Sequence, residues 1–348
     1  MITIEELAKE TGFSPTTVSI VLRGKAKDRQ ISDATAKKIL DVANDRGYRP
    51  NIAARSLRGG GGARQIQMAV FWAQDFRAGM IVRFLEGLRR RLREIERDIR
   101  LVVFPYDNDA LSACRQLVSA SDCHAAIVCN ASLADLDFLE GRTLSLPIVL
   151  YNRHSARYCS VNVDDREMGA LAARALATNG CKKLAVLTNP PAFPGMKTRV
   201  DSFILEALRY GVEVMDPIFC GSSMREGYNA AAQRILTSDS IPDGIFCGAS
   251  AIGLGVLRAF WEAGVEIPRR CKLVSIGNGP EEFDDFSVPS QSVVRLPMEE
   301  MAGQCLSLLL DVMSGSARAP ISRLLPLQYI ARESCGEIKI SEEPGLMG

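Results

Sequence analysis

Along the first sixty residues, apolar positions recur at helical spacing in short bursts. Ile4, Leu7 and Ala8 share one face, Thr3 and Glu6 stand ahead of them at capping-box spacing, and Gly12 ends the run after Thr11. Ser14 and Pro15 open a second helix, since Ser caps well and Pro suits the first helical position. Val18, Val21 and Leu22 follow at helical spacing, leaving Thr16, Thr17, Ser19 and Ile20 on the other faces. Ser32 caps a third helix with Ala36, Ile39, Leu40 and Ala43 inward and Gly47 at its end. From Ile66 the pattern changes. Continuous apolar runs at 66–72, 99–104, 125–129, 147–151, 183–188, 244–247 and 271–276 alternate with helical stretches at 78–97, 166–178, 196–210, 225–237, 250–263 and 298–313. That alternation predicts an α/β core with doubly wound parallel sheets, covered on both faces by helices. The first sixty residues predict an all-α head.

Composition narrows the picture. An apolar share of 47% with 24% charged residues fits a globular chain and excludes a mostly disordered one. No apolar run approaches the ~20 residues that span a bilayer. The start, Met1-Ile2-Thr3-Ile4, lacks the basic and apolar regions of a secretory leader, so a cytoplasmic protein without membrane contact is expected. The ten cysteines are scattered, with no C-x-x-C pair, and read as reduced, buried small hydrophobes. With two distant histidines, His124 and His154, no metal site or cofactor is expected. The net charge of +1 argues against a nucleic-acid partner only if charge is evenly spread. It is not: residues 1–60 carry eleven Lys/Arg against seven Asp/Glu, a net +4, and the rest of the chain is −3. A basic head displaces counterions from DNA. The run Arg89-Arg90-Arg91 with Arg93 is different. Successive helix positions point ~100° apart, so it reads as a solvated face with Arg90 and Glu94 as a surface pair.

Two short helices with a small residue at the crossing (Ala8), a flexible turn (Gly12) and a branched residue in the second helix (Val18) fit a helix-turn-helix. The stretches Thr3-Ile4 through Leu7-Ala8, Ser14-Pro15-Thr16-Thr17-Val18-Ser19, and Gly47-Tyr48-Arg49-Pro50-Asn51 through Arg55-Ser56-Leu57-Arg58 together resemble the LacI/GalR family of bacterial transcription regulators. Looser family-like stretches continue at Pro147-Ile148-Val149-Leu150-Tyr151-Asn152-Arg153, Val161-Asn162-Val163-Asp164-Asp165 and Ile330-Ala331-Arg332-Glu333-Ser334. The resemblance implies a helix-turn-helix head over 1–48, a hinge helix and glycine linker over 49–62, and a core over 63–340 with the two-subdomain periplasmic-binding-protein architecture. The N-subdomain is expected at about 63–161 and 293–325, and the C-subdomain at about 162–292 and 326–340.

In such a head the second helix enters the major groove. Pro15, Thr16, Thr17, Ser19 and Ile20 would face base edges, while Ser14, Arg23, Lys25, Arg29 and Asn51 would hold phosphates. Ile20 departs from the family, which carries a polar or cationic reader there, so an apolar contact with a thymine methyl is expected. In the hinge, Ala54, Arg55, Leu57 and Arg58 would meet the minor groove, Leu57 as the wedge at the central base step. Gly59 to Gly62 form a flexible joint and lack the Gly-Lys-Ser/Thr ending of a phosphate loop.

The effector cleft is expected at Asp75, Asn152, Arg199, Ser250 and Asn278. Here the departures dominate. Ala249-Ser250 stands where the family has Asn-Asp, Asn278-Gly279-Pro280 where it has Phe-Asp-Asp, and the carboxylates that bracket sugar hydroxyls are largely missing. An unpaired Arg199 then favours an anionic metabolite, such as a phosphorylated sugar or an organic acid. The alternatives are a neutral sugar or nucleoside, a cleft with no small-molecule role, and an Arg199 tied structurally to Asp201 or Glu206. The expected protein is a repressor, a homodimer on a palindromic double-stranded operator, controlled allosterically by a small molecule. A solute-binding protein would share the fold but need an export signal and no basic head. An enzyme would need a nucleophile–base pair or dinucleotide loop, neither of which is visible.

Overall fold

In the computed structural model, residues 4–22, 26, 29–46, 65–75, 77–95, 98–119, 123–142, 144 and 146–339 are described. They belong to two compact units, divided between Arg64 and Gln65.

The first unit is built from α1 (Ile4–Thr11), α2 (Pro15–Leu22) and α3 (Asp33–Asp45). Gly12 takes φ +77°, a conformation costly for any side chain with a Cβ, and its N–H closes α1 on the Ala8 carbonyl at 3.0 Å. Ser14 then accepts the Thr17 N–H at 3.1 Å, and Ser32 accepts the Thr35 N–H at 3.2 Å, so both predicted caps are made. The three helices bury Leu7, Ala8, Val18, Val21, Ile39 and Ala43 against one another. Leu40, expected inward, is 43% exposed.

The second unit has two lobes. In chain order the first holds β1 (Ile66–Ala73), α4 (Ile81–Arg93), β2 (Ile99–Tyr106), α5 (Arg115–Ser119), β3 (Ala125–Cys129), α6 (Leu133–Gly141), β4 (Ile148–Tyr151) and β5 (Cys159–Val163). The second lobe follows with α7 (Asp165–Thr178), β6 (Lys183–Thr188), α8 (Pro194–Arg209), β7 (Glu213–Val214), β8 (Ile218–Phe219), α9 (Met224–Ala230), β9 (Gly244–Cys247), α10 (Ser250–Glu262), β10 (Lys272–Gly277), α11 (Glu281–Asp285) and β11 (Ser292–Arg295). The chain returns to the first lobe for α12 (Met298–Ser314) and β12 (Ser322–Leu325), and ends in the second with β13 (Gln328–Ile330). The first sheet runs β12-β5-β4-β3-β1-β2 and is parallel throughout. The second runs β13-β11-β10-β9-β6-β7, with β8 also on β6. It is parallel except for β13, which lies antiparallel on β11.

Two of the three crossings fall a few residues from the expected subdomain boundaries, while the third, between β12 and β13, falls at the expected one. β5 keeps Asn162 and Val163 in the first sheet, paired with Leu324 and Leu325 of β12, so that crossing follows Val163 rather than residue 161. β11 keeps Ser292 to Arg295 in the second sheet, because Val274 to Gly277 pair with them, so the return follows Arg295 rather than residue 292. Two predicted helices are also shorter. The stretch 78–97 divides into a 3₁₀ turn, Ala78–Met80, and α4, while 225–237 ends α9 at Ala230 and continues as a π-turn, Ala231–Ile235, with the Leu236 N–H on the Ala231 carbonyl at 3.0 Å. Glu94 pairs with Arg91 at 2.6 Å, not with Arg90. All ten cysteines are free, and eight of them are buried. Among the described residues no helix is long and apolar enough to cross a membrane.

Candidate functional site

The surface of α2 is the first candidate. Burial of Val18 and Val21 orients the helix, so Pro15 and Thr16 are exposed and Thr17, Ser19 and Ile20 half-buried. Thr16 and Ile20 are four residues apart, Thr17 and Ile20 three, so the three side chains share one face. Ser14 is the cap: its oxygen takes the Thr17 N–H and lies 2.9 Å from Thr17 Oγ1. Arg29 is exposed. Arg23, Lys25, Asn51, Ala54, Arg55, Leu57 and Arg58 lie outside the described residues.

The second candidate is a cavity of about 340 Å³ between the lobes of the core. It opens at the carboxyl ends of β1, β3, β4, β6, β9 and β10, where parallel sheets place ligands. Of the five expected residues, Asn152, Arg199 and Asn278 line it. Asp75 and Ser250 do not: Asp75 is held by the Arg77 guanidinium and backbone N–H, and Ser250, fully buried at the start of α10, donates its hydroxyl to the Ile276 carbonyl at 3.2 Å.

Arg199 is not unpaired. Its Nε donates to Asp165 Oδ1 at 2.7 Å, a carboxylate from α7 rather than either residue considered on its own helix. Asp201 pairs with Lys197, and Glu206 with Arg174 and Arg209. Gly195 makes room for this arrangement, since a Cβ there would collide with the Asp165 carboxylate and the Phe193 ring.

Sequence reasoning missed the centre of the site. The Phe193 ring from the second lobe lies beneath three guanidiniums: Arg153 at 3.9 Å, Arg199 at 5.5 Å and Arg77 at 5.8 Å from the ring centre. Arg77 is paired with Asp75 and Arg199 with Asp165. Arg153 bonds only to the carbonyls of Ala131 and Asn152, and its Nη2 has no hydrogen-bond partner among the described residues. Burial, and then the charge of Arg77, pushes Arg153 down to about 9, so it is still protonated at neutral pH. Three other features converge there. Asn130 and Asn152 are held at positive φ, 61° and 52°, just beyond the ends of β3 and β4. The buried Asn130 Nδ2 lacks a partner among the described residues. Arg83 of α4 crosses to the second lobe, donating to the carbonyls of Gly277 at 3.1 Å and Gly279 at 3.2 Å. The twenty lining residues include three arginines and no Asp or Glu.

Comparison with known proteins places this architecture. The profile of bacterial regulatory proteins of the lacI family matches residues 3–51, and that of the periplasmic binding protein-like domain matches residues 173–335. The crystal structure of a LacI family transcription regulator from Clostridium acetobutylicum is 31% identical, with a TM-score of 0.75, over 77% of this chain and 100% of that one. The chain belongs to the LacI family. It is a DNA-binding transcriptional regulator with a helix-turn-helix unit and a two-lobed effector core. LacI-family relatives match along the whole length. The HTH-type transcriptional regulator AglR of Rhizobium meliloti (strain 1021) is 25% identical over 96% of this chain and 94% of its own. The lac repressor dimer bound to operator and an anti-inducer shares the fold, with a TM-score of 0.68 at 17% identity over 97% of this chain and 99% of that one. Within the LacI family frame, α2 is the second helix of the helix-turn-helix.

Proposed function

We propose that this chain is a cytoplasmic repressor that binds a palindromic operator as a homodimer and is switched by a small anionic molecule held between the lobes. One observation carries the effector reading: three guanidiniums converge on a cavity with no carboxylate in its wall, and Arg153 has no anionic partner bonded to it. A neutral sugar would leave that charge uncompensated, whereas a carboxylate or phosphate satisfies it. Binding changes the lobe angle only as far as the effector prefers one angle over the other.

The DNA side rests on the exposed face of α2 and the +4 charge of residues 1–60. Thr16, Thr17, Ser19 and Ile20 read base edges in the major groove, with Arg23, Lys25, Arg29 and Asn51 on phosphates. Ala54, Arg55, Leu57 and Arg58 enter the minor groove, Leu57 as the wedge. Band shifts with the intact chain and with a chain beginning at residue 63 test this division. The intact protein is expected to bind its operator, with affinity falling about a thousandfold or more between low and physiological salt. The truncated protein is expected not to bind. Equal binding by both overturns the assignment of DNA binding to the helical head.

Ile20 makes a narrower prediction. An apolar side chain cannot form the bidentate contact to guanine worth ~1–3 kcal/mol. Binding-site selection should recover a thymine-bearing pair opposite Ile20, and Ile20→Arg should shift that position towards guanine. An invariant guanine there with the parent protein would contradict the apolar contact.

A further inference from the structure

The wall of the cavity has two chemical characters. On the first-lobe side, Arg153 Nη2 and Asn130 Nδ2 are buried donors without partners among the described residues. Across from them the second lobe contributes Met196, Ala249, Ala251, Pro280 and Phe283. Of the polar side chains on that side, Asn278 Oδ1 accepts the Ser250 N–H at 3.3 Å and Arg199 is held by Asp165, while Asn189 and Ser222 flank the apolar patch. A polyhydroxylated ligand brings several hydroxyls, each of which donates a proton and needs an acceptor. Set against methyl, prolyl and phenyl groups, a buried hydroxyl left unpaired is penalised.

The charge count adds a second constraint. Arg77 and Arg199 are compensated by Asp75 and Asp165, leaving the one charge of Arg153. A monoanion cancels it. A phosphate monoester carries roughly −1.5 to −2 at neutral pH and would bury excess negative charge.

Resting on the anionic reading above, we propose that the effector is a carboxylic acid with an apolar body, either aryl or branched aliphatic, and not a phosphorylated sugar. Its carboxylate takes Arg153 and Asn130, and its body lies beside Phe193 against Ala249, Pro280 and Phe283. The effector therefore contacts both lobes, the charge on one and the apolar body on the other, so that an acid of the right length holds them at one angle.

Calorimetric titration of the full chain tests this with four kinds of probe: phenylacetate and isovalerate; gluconate and a hexose monophosphate; phenylacetamide; and ribose. One of the two apolar-bodied acids is expected to bind at least about tenfold more tightly than any other probe, a difference of ~1.4 kcal/mol. If gluconate or the hexose monophosphate binds more tightly than both, the apolar body is wrong and the anionic reading stands. If phenylacetamide or ribose binds as tightly as the acids, or no probe binds, both readings fall.

Discussion

Replacing Val18 with Asp is expected to abolish operator binding at any salt concentration while leaving the core folded. Val18 is fully buried in the middle of α2, within a cluster of six buried hydrophobic side chains among the described residues of α1, α2 and α3. An unpaired carboxylate placed there must stay ionised at a cost of several kcal/mol or fold protonated with its hydroxyl unsatisfied. Three short helices of this size have only a few kcal/mol of stability to lose. Residues 65–348 form a separate compact unit with its own cores, so their melting transition should be unchanged. Thr16→Ala is the matched control: Thr16 is exposed, so the unit stays folded and only the preferred operator sequence changes. Retention of operator affinity within about tenfold by Val18→Asp would mean that α2 does not depend on this core, and the helix-turn-helix assignment of α2 would fail with it.

The helical unit was legible because its determinants are local. Caps, the turn glycine and inward residues all lie within a few positions of one another, and Ser14, Gly12 and Val18 do what their residue types predict. The lobes were legible as alternation but blurred at the crossings, where Ser160 and Asn162 in β5, Ser292 and Arg295 in β11, and Ser322 and Arg323 in β12 interrupt the apolar run. The cleft was legible only in part. Arg199 was expected to be free or tied to Asp201 or Glu206. Two residues along a helix is a turn of ~200°, so Asp201 lies on the far side, and the partner came from a neighbouring helix, 34 residues away. Periodicity contains no information about such a pair. Arg77 lies in the connection from β1 to α4, Arg153 in the loop between β4 and β5 and Phe193 in the connection from β6 to α8, and only the tertiary fold brings them to one point. One available signal was positional: Arg77 and Arg153 each follow a buried strand by a few residues, which is where an open parallel sheet exposes side chains to a ligand.

Replacement of Arg153 by Met should separate effector response from stability. Met keeps an apolar stem but removes the charge without an anionic partner. Losing a buried, charge-assisted contact costs ~2–5 kcal/mol, so affinity for whichever acid most raises the parent's melting temperature should fall about thirtyfold or more. Operator binding should persist but no longer respond to that acid. The fold should tolerate the change, because two effects oppose each other. The carbonyls of Ala131 and Asn152 lose a donor, at ~1 kcal/mol each, while the cost of holding a guanidinium away from water disappears. The direction of the Arg153 pKa fits that cost: burial lowers it in the folded state, so this group weakens the fold below about pH 9, and its penalty fades as pH rises towards the unfolded value. The melting temperature of Arg153→Met should therefore stay within a few degrees of the parent's. Arg199→Met is expected to behave differently, because it strands the Asp165 carboxylate, only 13% exposed at its side chain. Breaking such a pair from one side costs ~3–5 kcal/mol, enough to lower the melting temperature clearly. If Arg153→Met melts as low as Arg199→Met, Arg153 is a structural cation. If it still binds the acid as the parent does, the anion lies elsewhere in the cleft.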